Sequence, residues 1–157
     1  MHVRDIHSID LDALREAGYR GILIDLDNTL VPYGEYDPIP KESMDWLQKA
    51  AGKGFKVALY SNASKWKVDL IRRQTDIFCV DKAIKPFPLK LNICLDNLGI
   101  EKSRTVTIGD QLFTDILGGN LAGMYTILVD PVHRSDFWGT KILRFMERVA
   151  GRKPLPE

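Results

Sequence analysis

The sequence predicts an α/β fold, a three-layer, doubly wound, Rossmann-like parallel sheet of five strands with helices on both faces. Three observations point to it. Short apolar runs alternate with helical patterns along the whole chain. Each apolar run is short enough for a strand and is bounded by turn residues. The polar clusters fall just after the predicted strand ends, where open α/β sheets build their sites.

The first strand is expected over 21–26. Pro40 then starts a helical run with Met44, Leu47 and Ala51 on one face, closed by Gly52 and Gly54. The second strand is expected over 55–60. Ser61 and Asn62 make a turn, and Ser64 is placed to cap a helix reaching about Gln74. The third strand covers 77–80. Pro88 opens a helix through Leu98, which Gly99 stops. The fourth strand covers 105–108, a helix follows over about 114–122, and the fifth strand covers 125–129.

Composition narrows the function. The chain has 157 residues, 45% hydrophobic and 27% charged, which is ordinary globular usage and fits one domain. Lys and Arg number 22 against 21 Asp and Glu, so the net charge of +1 argues against a nucleic-acid partner. No apolar run approaches a membrane span. The polar first ten residues hold no apolar core of a secretory signal. Cys79 and Cys94 form no CxxC pair, and the expected setting is the reduced cytoplasm.

Charge divides the chain in two. Residues 1–130, the expected core, hold 16 basic and 18 acidic residues, whereas residues 131–157 hold six basic and three acidic. If 139–152 is helical, Lys141, Arg144, Arg148 and Arg152 share one face and apolar residues cover the other. That is the pattern of a helix lying on anionic lipid at the inner face of the membrane. A helix docked on its own domain shows the same pattern.

The strand ends carry the chemistry. Asp25 and Asp27 follow the first, Ser61 and Asn62 the second, Lys85 the third, and Asp110 with Asp115 the fourth. Two carboxylates two residues apart on extended backbone point to one side and repel unless a cation or a proton is shared. All-oxygen ligands suit a hard cation such as Mg²⁺. A metal beside a lysine, a hydroxyl and turn amides is what a phosphoryl group needs, and a carboxylate there can act as nucleophile. Taken singly, each residue has an ordinary reading: a helix cap, a turn pair, a surface lysine. The four clusters occurring together carry the inference.

Asp25-Leu26-Asp27-Asn28-Thr29-Leu30 resembles the DxDx[TV] motif of the haloacid dehalogenase (HAD) superfamily. Tyr60-Ser61-Asn62 resembles its second motif, Lys85-Pro86 its third, and the stretch from Gly109-Asp110 to Asp115 its fourth, in the right order. The fuller strings resemble the subclass IIIA phosphatases of the YqeG type, related to mitochondrial phosphatidylglycerophosphate phosphatase. The resemblance implies a Mg²⁺-dependent phosphomonoester hydrolase working through an aspartyl phosphate. Asp25 would be the nucleophile and Asp27 the general acid and base. Asn28, Ser61 and Asn62 would hold the substrate, and Lys85 would offset charge. Asp25, Asp27 through its carbonyl, Asp110 and Asp115 would serve the metal, with the more direct of the last two left open. An acid at Asp27 favours phosphoester chemistry over dehalogenation.

Only 34 positions separate Asp27 from Ser61 and 24 separate Ser61 from Lys85, all consumed by the predicted elements. No cap domain fits there, so the site should be open to a large or lipid-borne phosphate, with phosphatidylglycerophosphate the first expectation. A small soluble phosphate, such as a sugar or nucleotide, is the alternative. A receiver-like module would also place acids, a hydroxyl and a lysine on such a sheet, but its phosphorylated Asp should end the third strand.

Overall fold

The computed structural model describes residues 1–132 and residue 151. Six parallel strands form one open sheet: β1 (His2–Val3), β2 (Gly21–Ile24), β3 (Lys56–Tyr60), β4 (Phe78–Val80), β5 (Thr105–Gly109) and β6 (Tyr125–Val129). Their order is β1-β6-β5-β2-β3-β4. The helices are α1 (Leu11–Glu16), α2 (Lys41–Gly52), α3 (Lys65–Gln74), α4 (Leu91–Leu98) and α5 (Leu117–Leu121). The predicted fold class stands, with one correction: the sheet has six strands, not five. The extra strand β1 lies at the edge, where His2 registers with Leu128 and Val3 with Val129. Two polar-flanked residues carry no strand period, so only the bare edge of β6 selects them.

Alternation along the strands sorts the core into two layers. Ile22 and Ile24 of β2 pack with Leu14 of α1, Leu47 of α2 and Ile71 of α3. Leu23, between them, faces the other layer with Leu91 and Cys94 of α4. The buried face of α2 is Ser43, Trp46, Leu47 and Ala50 rather than the expected Met44, Leu47 and Ala51. Both sets fit a helical period, and burying the larger Trp46 decides the rotation. Trp66 is exposed. Cys79 and Cys94 are free and buried, and burial pushes their thiols up to about 11 and about 12.

Local signals held unevenly. Gly99 ends α4 in the left-handed region at φ +61°, as its position after Leu98 predicts. Ser64 stands at the start of α3 but its side chain makes no capping hydrogen bond. The expected helix over 114–122 divides into a wide π-type turn, Leu112–Ile116, followed by α5. The N-terminal helix α1 has a capping signal that the strand–helix alternation passed over: Asp10 accepts from the amides of Asp12 and Ala13. Among the described residues no helix is long and apolar enough to cross a membrane. The basic helix expected over 139–152 lies outside the described residues.

The strand order places the site. The chain runs outward from β2 to β3 and β4, then returns to the other side of β2 for β5 and β6. The reversal lies between β2 and β5, and a crevice opens beyond the carboxyl ends of two such strands.

Candidate active site

β2 and β5 are paired in register, Ile24 with Ile108. One step further out Asp25 lies opposite Gly109, and Asp110 follows at the end of β5, so the register brings the two acids to the same sheet edge. The Asp25 amide continues the ladder, donating to the Ile108 carbonyl at 2.9 Å. Beyond Asp25 the chain folds back at once. Asn28 takes a left-handed conformation (φ +59°), its amide donates to the Val31 carbonyl, and its side-chain oxygen accepts from the Tyr33 amide at 3.1 Å. Asn tolerates that conformation better than most residues. Ser43 of α2 ties the loop down by donating to the Leu30 carbonyl at 2.5 Å.

Lys85 is the electrostatic centre. Its ammonium is buried, lies 2.6 Å from Asp25 Oδ1 and also bonds Asp115 Oδ1. Burial alone would lower its pKa, but the charges of Asp115 and Asp25 outweigh that and raise it. Asn62 brackets the backbone of Lys85: its side-chain oxygen accepts from the Lys85 amide at 2.8 Å, and its side-chain nitrogen donates to the Lys85 carbonyl at 3.2 Å. The structure thus gives Asn62 a positioning task beside the expected substrate contact. Ser61 is buried at the end of β3, with its hydroxyl oxygen accepting from the Ala63 amide at 3.1 Å.

Asp115 uses both carboxylate oxygens internally. One meets Lys85, and the other accepts from the Gln111 amide at 3.1 Å. Burial raises its pKa to about 6 against the opposing pull of Lys85. Gly109 permits this placement, since a Cβ there would overlap the Asp115 carboxyl group. Gly119 similarly lets α5 lie against Thr107 and Thr126.

Carboxylate oxygens of Asp25, Asp110 and Asp115 lie within 4.8 Å of one another, all three residues buried. Thr29 donates to Asp110 at 3.3 Å. Among the described residues, three buried carboxylates against the one ammonium of Lys85 leave a formal excess of two negative charges. All-oxygen donors with that excess fit a hard divalent cation. The Asp27 carboxylate is not in this group.

Asp27 instead belongs to a second cluster that the motifs did not announce. Tyr36 donates to Asp27 Oδ1 at 2.5 Å, and Lys67 lies 3.2 Å from Oδ2. The Lys67 ammonium sits 4.2 Å from the Tyr33 ring centroid and 4.9 Å from that of Tyr36. Burial raises the Asp27 pKa and Asp25 adds to the rise, while Tyr36 and Lys67 pull it back. Burial and Asp27 push the Tyr36 hydroxyl up to about 12, so it donates at neutral pH. Tyr36 lies in a loop and Lys67 on α3, and neither has a spacing signal to find it by. Asp25 and Lys85 of the first cluster and Asp27 and Lys67 of the second line one cleft of about 470 Å³, with Ser61, Asn62 and Trp66 on its walls. Among the described residues, α2 is the only helix between β2 and β3 and α3 the only one between β3 and β4, so neither connection carries an inserted domain.

The comparisons with known proteins agree with this geometry. A family model described as HAD-hydrolase-like matches residues 83–131. The probable phosphatase YqeG of Bacillus subtilis (strain 168) is 38% identical over 146 residues, covering 93% of this chain and 84% of that protein. Phosphatidylglycerophosphate phosphatase 1 of Arabidopsis thaliana is 27% identical over 144 residues, 85% of this chain but 41% of that longer one. A phosphatase-domain structure from Bacteroides fragilis, complexed with Mg, superposes with a TM-score of 0.54 at 19% identity, over 77% of this chain and 40% of that one. The strand order, the acids meeting at its reversal and the near full-length likeness to YqeG converge on one conclusion: the chain belongs to the HAD-type phosphatases.

Proposed function

We propose that the chain hydrolyses a phosphomonoester carried on a phospholipid headgroup, through an aspartyl phosphate on Asp25 and with Mg²⁺ as cofactor. The observation that carries the chemistry is the Lys85 ammonium bonded to both Asp25 and Asp115 beside Asp110. Asp25, Asp110 and the Asp27 carbonyl would hold the cation, which when bound offsets the charge of the phosphoryl group and the nucleophile. Asp115, engaged by Lys85 and the Gln111 amide, serves mainly to hold Lys85.

Asp25 has one oxygen on Lys85, and no hydrogen bond from the described residues reaches the other. That second oxygen attacks phosphorus. The bond from phosphorus to the leaving oxygen breaks, and Asp27 gives that oxygen its proton. A raised pKa keeps Asp27 protonated further into the working range. In the second half, Asp27 takes a proton from water, the water oxygen attacks phosphorus, and the bond to Asp25 breaks to release phosphate. The Ser61 hydroxyl and neighbouring amides hold the phosphoryl oxygens throughout.

A lipid-borne substrate is supported by the uncapped cleft and by the plant relative's name. The test is phosphate release from phosphatidylglycerophosphate in mixed micelles with Mg²⁺, with Asp25→Asn as the blank. Release that vanishes in the variant is expected. Equal release from the variant would refute Asp25 as nucleophile, and release only from soluble phosphate esters would refute the lipid substrate.

A further inference from the structure

Lys85 is carried on the connection between β4 and α4, and that same connection is apolar where it meets water. Ile84 is 52% exposed, Phe87 61% and Leu89 70%. Trp66, on the cleft wall at the start of α3, is 59% exposed. Large apolar side chains normally leave water when a fold offers them the chance. Here three stand on the β4–α4 connection and the fourth in the first turn of α3, at the same edge of the sheet. The β3–α3 and β4–α4 connections are stitched together: the Lys82 amide donates to the Ala63 carbonyl at 3.1 Å, and the Ala83 amide to the Ser61 carbonyl at 2.9 Å. Ile84 sits at φ +62°, a conformation that β-branched residues rarely adopt. Strain and exposure thus coincide one residue before the buried lysine.

The charged side chains carried by these two segments are basic, while the acids they pair with lie in the candidate site, Lys67 on Asp27 and Lys85 on Asp25 and Asp115. Residues 82–95 contain Lys82, Lys85 and Lys90 and no acid, and residues 61–68 contain Lys65 and Lys67 and no acid. The flanking acids are Asp81, Asp69 and Asp96. Lys65 and Lys82 are exposed, and Lys90 lies partly buried with its ammonium on the Asp81 carbonyl at 2.8 Å. Apolar tips beside the exposed Lys65 and Lys82 match an anionic lipid surface, in which Phe, Leu and Ile enter the acyl boundary, Trp sits at the headgroups and Lys meets phosphate.

We infer that the 84–89 connection and Trp66 form a lipid-docking rim. The rim seats the cleft on an anionic membrane and brings a headgroup phosphate to Asp25. The inference rests on the lipid-borne substrate proposed above and adds the surface that delivers it. It uses no residue of the basic segment beyond residue 131.

The test compares the full chain with the double variant Phe87→Asp/Leu89→Asp. Neither residue touches the reacting groups, and both are exposed, so the fold should survive; thermal melting checks it. Three readouts are taken. They are cosedimentation with vesicles of phosphatidylglycerol and phosphatidylcholine, turnover of phosphatidylglycerophosphate in those vesicles, and turnover of soluble p-nitrophenyl phosphate. The wild type should bind the anionic vesicles and bind vesicles of phosphatidylcholine alone more weakly. The variant should bind the anionic vesicles about tenfold more weakly or worse, since two exposed apolar side chains that would enter the lipid become charged. Its vesicle turnover should fall in step, with soluble turnover unchanged. A variant that partitions like the wild type would overturn the rim, as would a wild type that ignores anionic vesicles. Absent soluble turnover in the wild type would instead break the phosphatase chemistry, while vesicle partition would still decide the rim.

Discussion

Lys85 and Lys67 both meet aspartates in one cleft, yet their surroundings differ. Lys85 is buried among carboxylates, bonded to Asp25 and Asp115, with Asp110 close by. The Tyr60 ring centroid lies 5.8 Å away. Lys67 is more exposed, reaches the single carboxylate of Asp27 and lies over the Tyr33 and Tyr36 rings. Among the described residues the Lys85 cluster holds more negative charge than it neutralises, and a cation would complete it. The Lys67 cluster is nearly balanced, and its residues adjust how tightly Asp27 holds a proton. The proposed metal site and nucleophile thus lie where charges are fixed by burial, and the proposed proton-transfer group lies where they can be tuned.

Breaking the Lys85 side should have the largest effect. Lys85→Met leaves Asp25 and Asp115 facing each other uncompensated, and losing one partner of a buried ionic group costs about 3–5 kcal/mol. Chemical denaturation should show that loss, turnover should vanish, and millimolar Mg²⁺ should restore part of the stability; an unchanged midpoint would mean the cluster is not the buried charge centre described. Asp27→Asn breaks the other side. It should lower turnover by about 10²–10⁴-fold, the usual worth of a general acid, while Mg²⁺ binding followed by calorimetry is kept.

Gly109→Ala tests how the acids are held. The new methyl group would push on the Asp115 carboxyl, and overpacking of that kind costs about 1–3 kcal/mol. The denaturation midpoint should drop, with weaker Mg²⁺ binding beside it. The smallest effect should come from Tyr36→Phe. Tyr36 stabilises the Asp27 carboxylate, so removing its hydroxyl raises the Asp27 pKa further. A general acid works only while protonated, and activity is lost as pH rises through its pKa. The alkaline limb of the kcat/KM profile should therefore move to higher pH in the variant, with the plateau changed by less than about tenfold. A limb that stays in place would remove Asp27 as the titrating acid.

The sequence alone carried the alternation of strands and helices, the left-handed stop at Gly99, and the placing of Asp25, Ser61, Lys85 and Asp110 at strand ends. Such features are local. A strand's apolar run, a glycine's conformational freedom and a polar residue following a strand are all written within a few neighbouring positions. Tertiary structure alone decided that β1 joins the sheet, because two residues cannot show a period and only the open edge of β6 recruits them. It also rotated α2 to bury Trp46, turned Asn62 onto the Lys85 backbone, and sorted Asp115 toward Lys85. The pairing of Tyr36 and Lys67 with Asp27 is of the same kind. Those residues stand 9 and 40 positions from Asp27, and they meet it only after the β2 loop and α3 have packed at the same sheet edge. A contact whose partners lie that far apart has no local pattern to announce it, since its geometry exists only once the layers have closed.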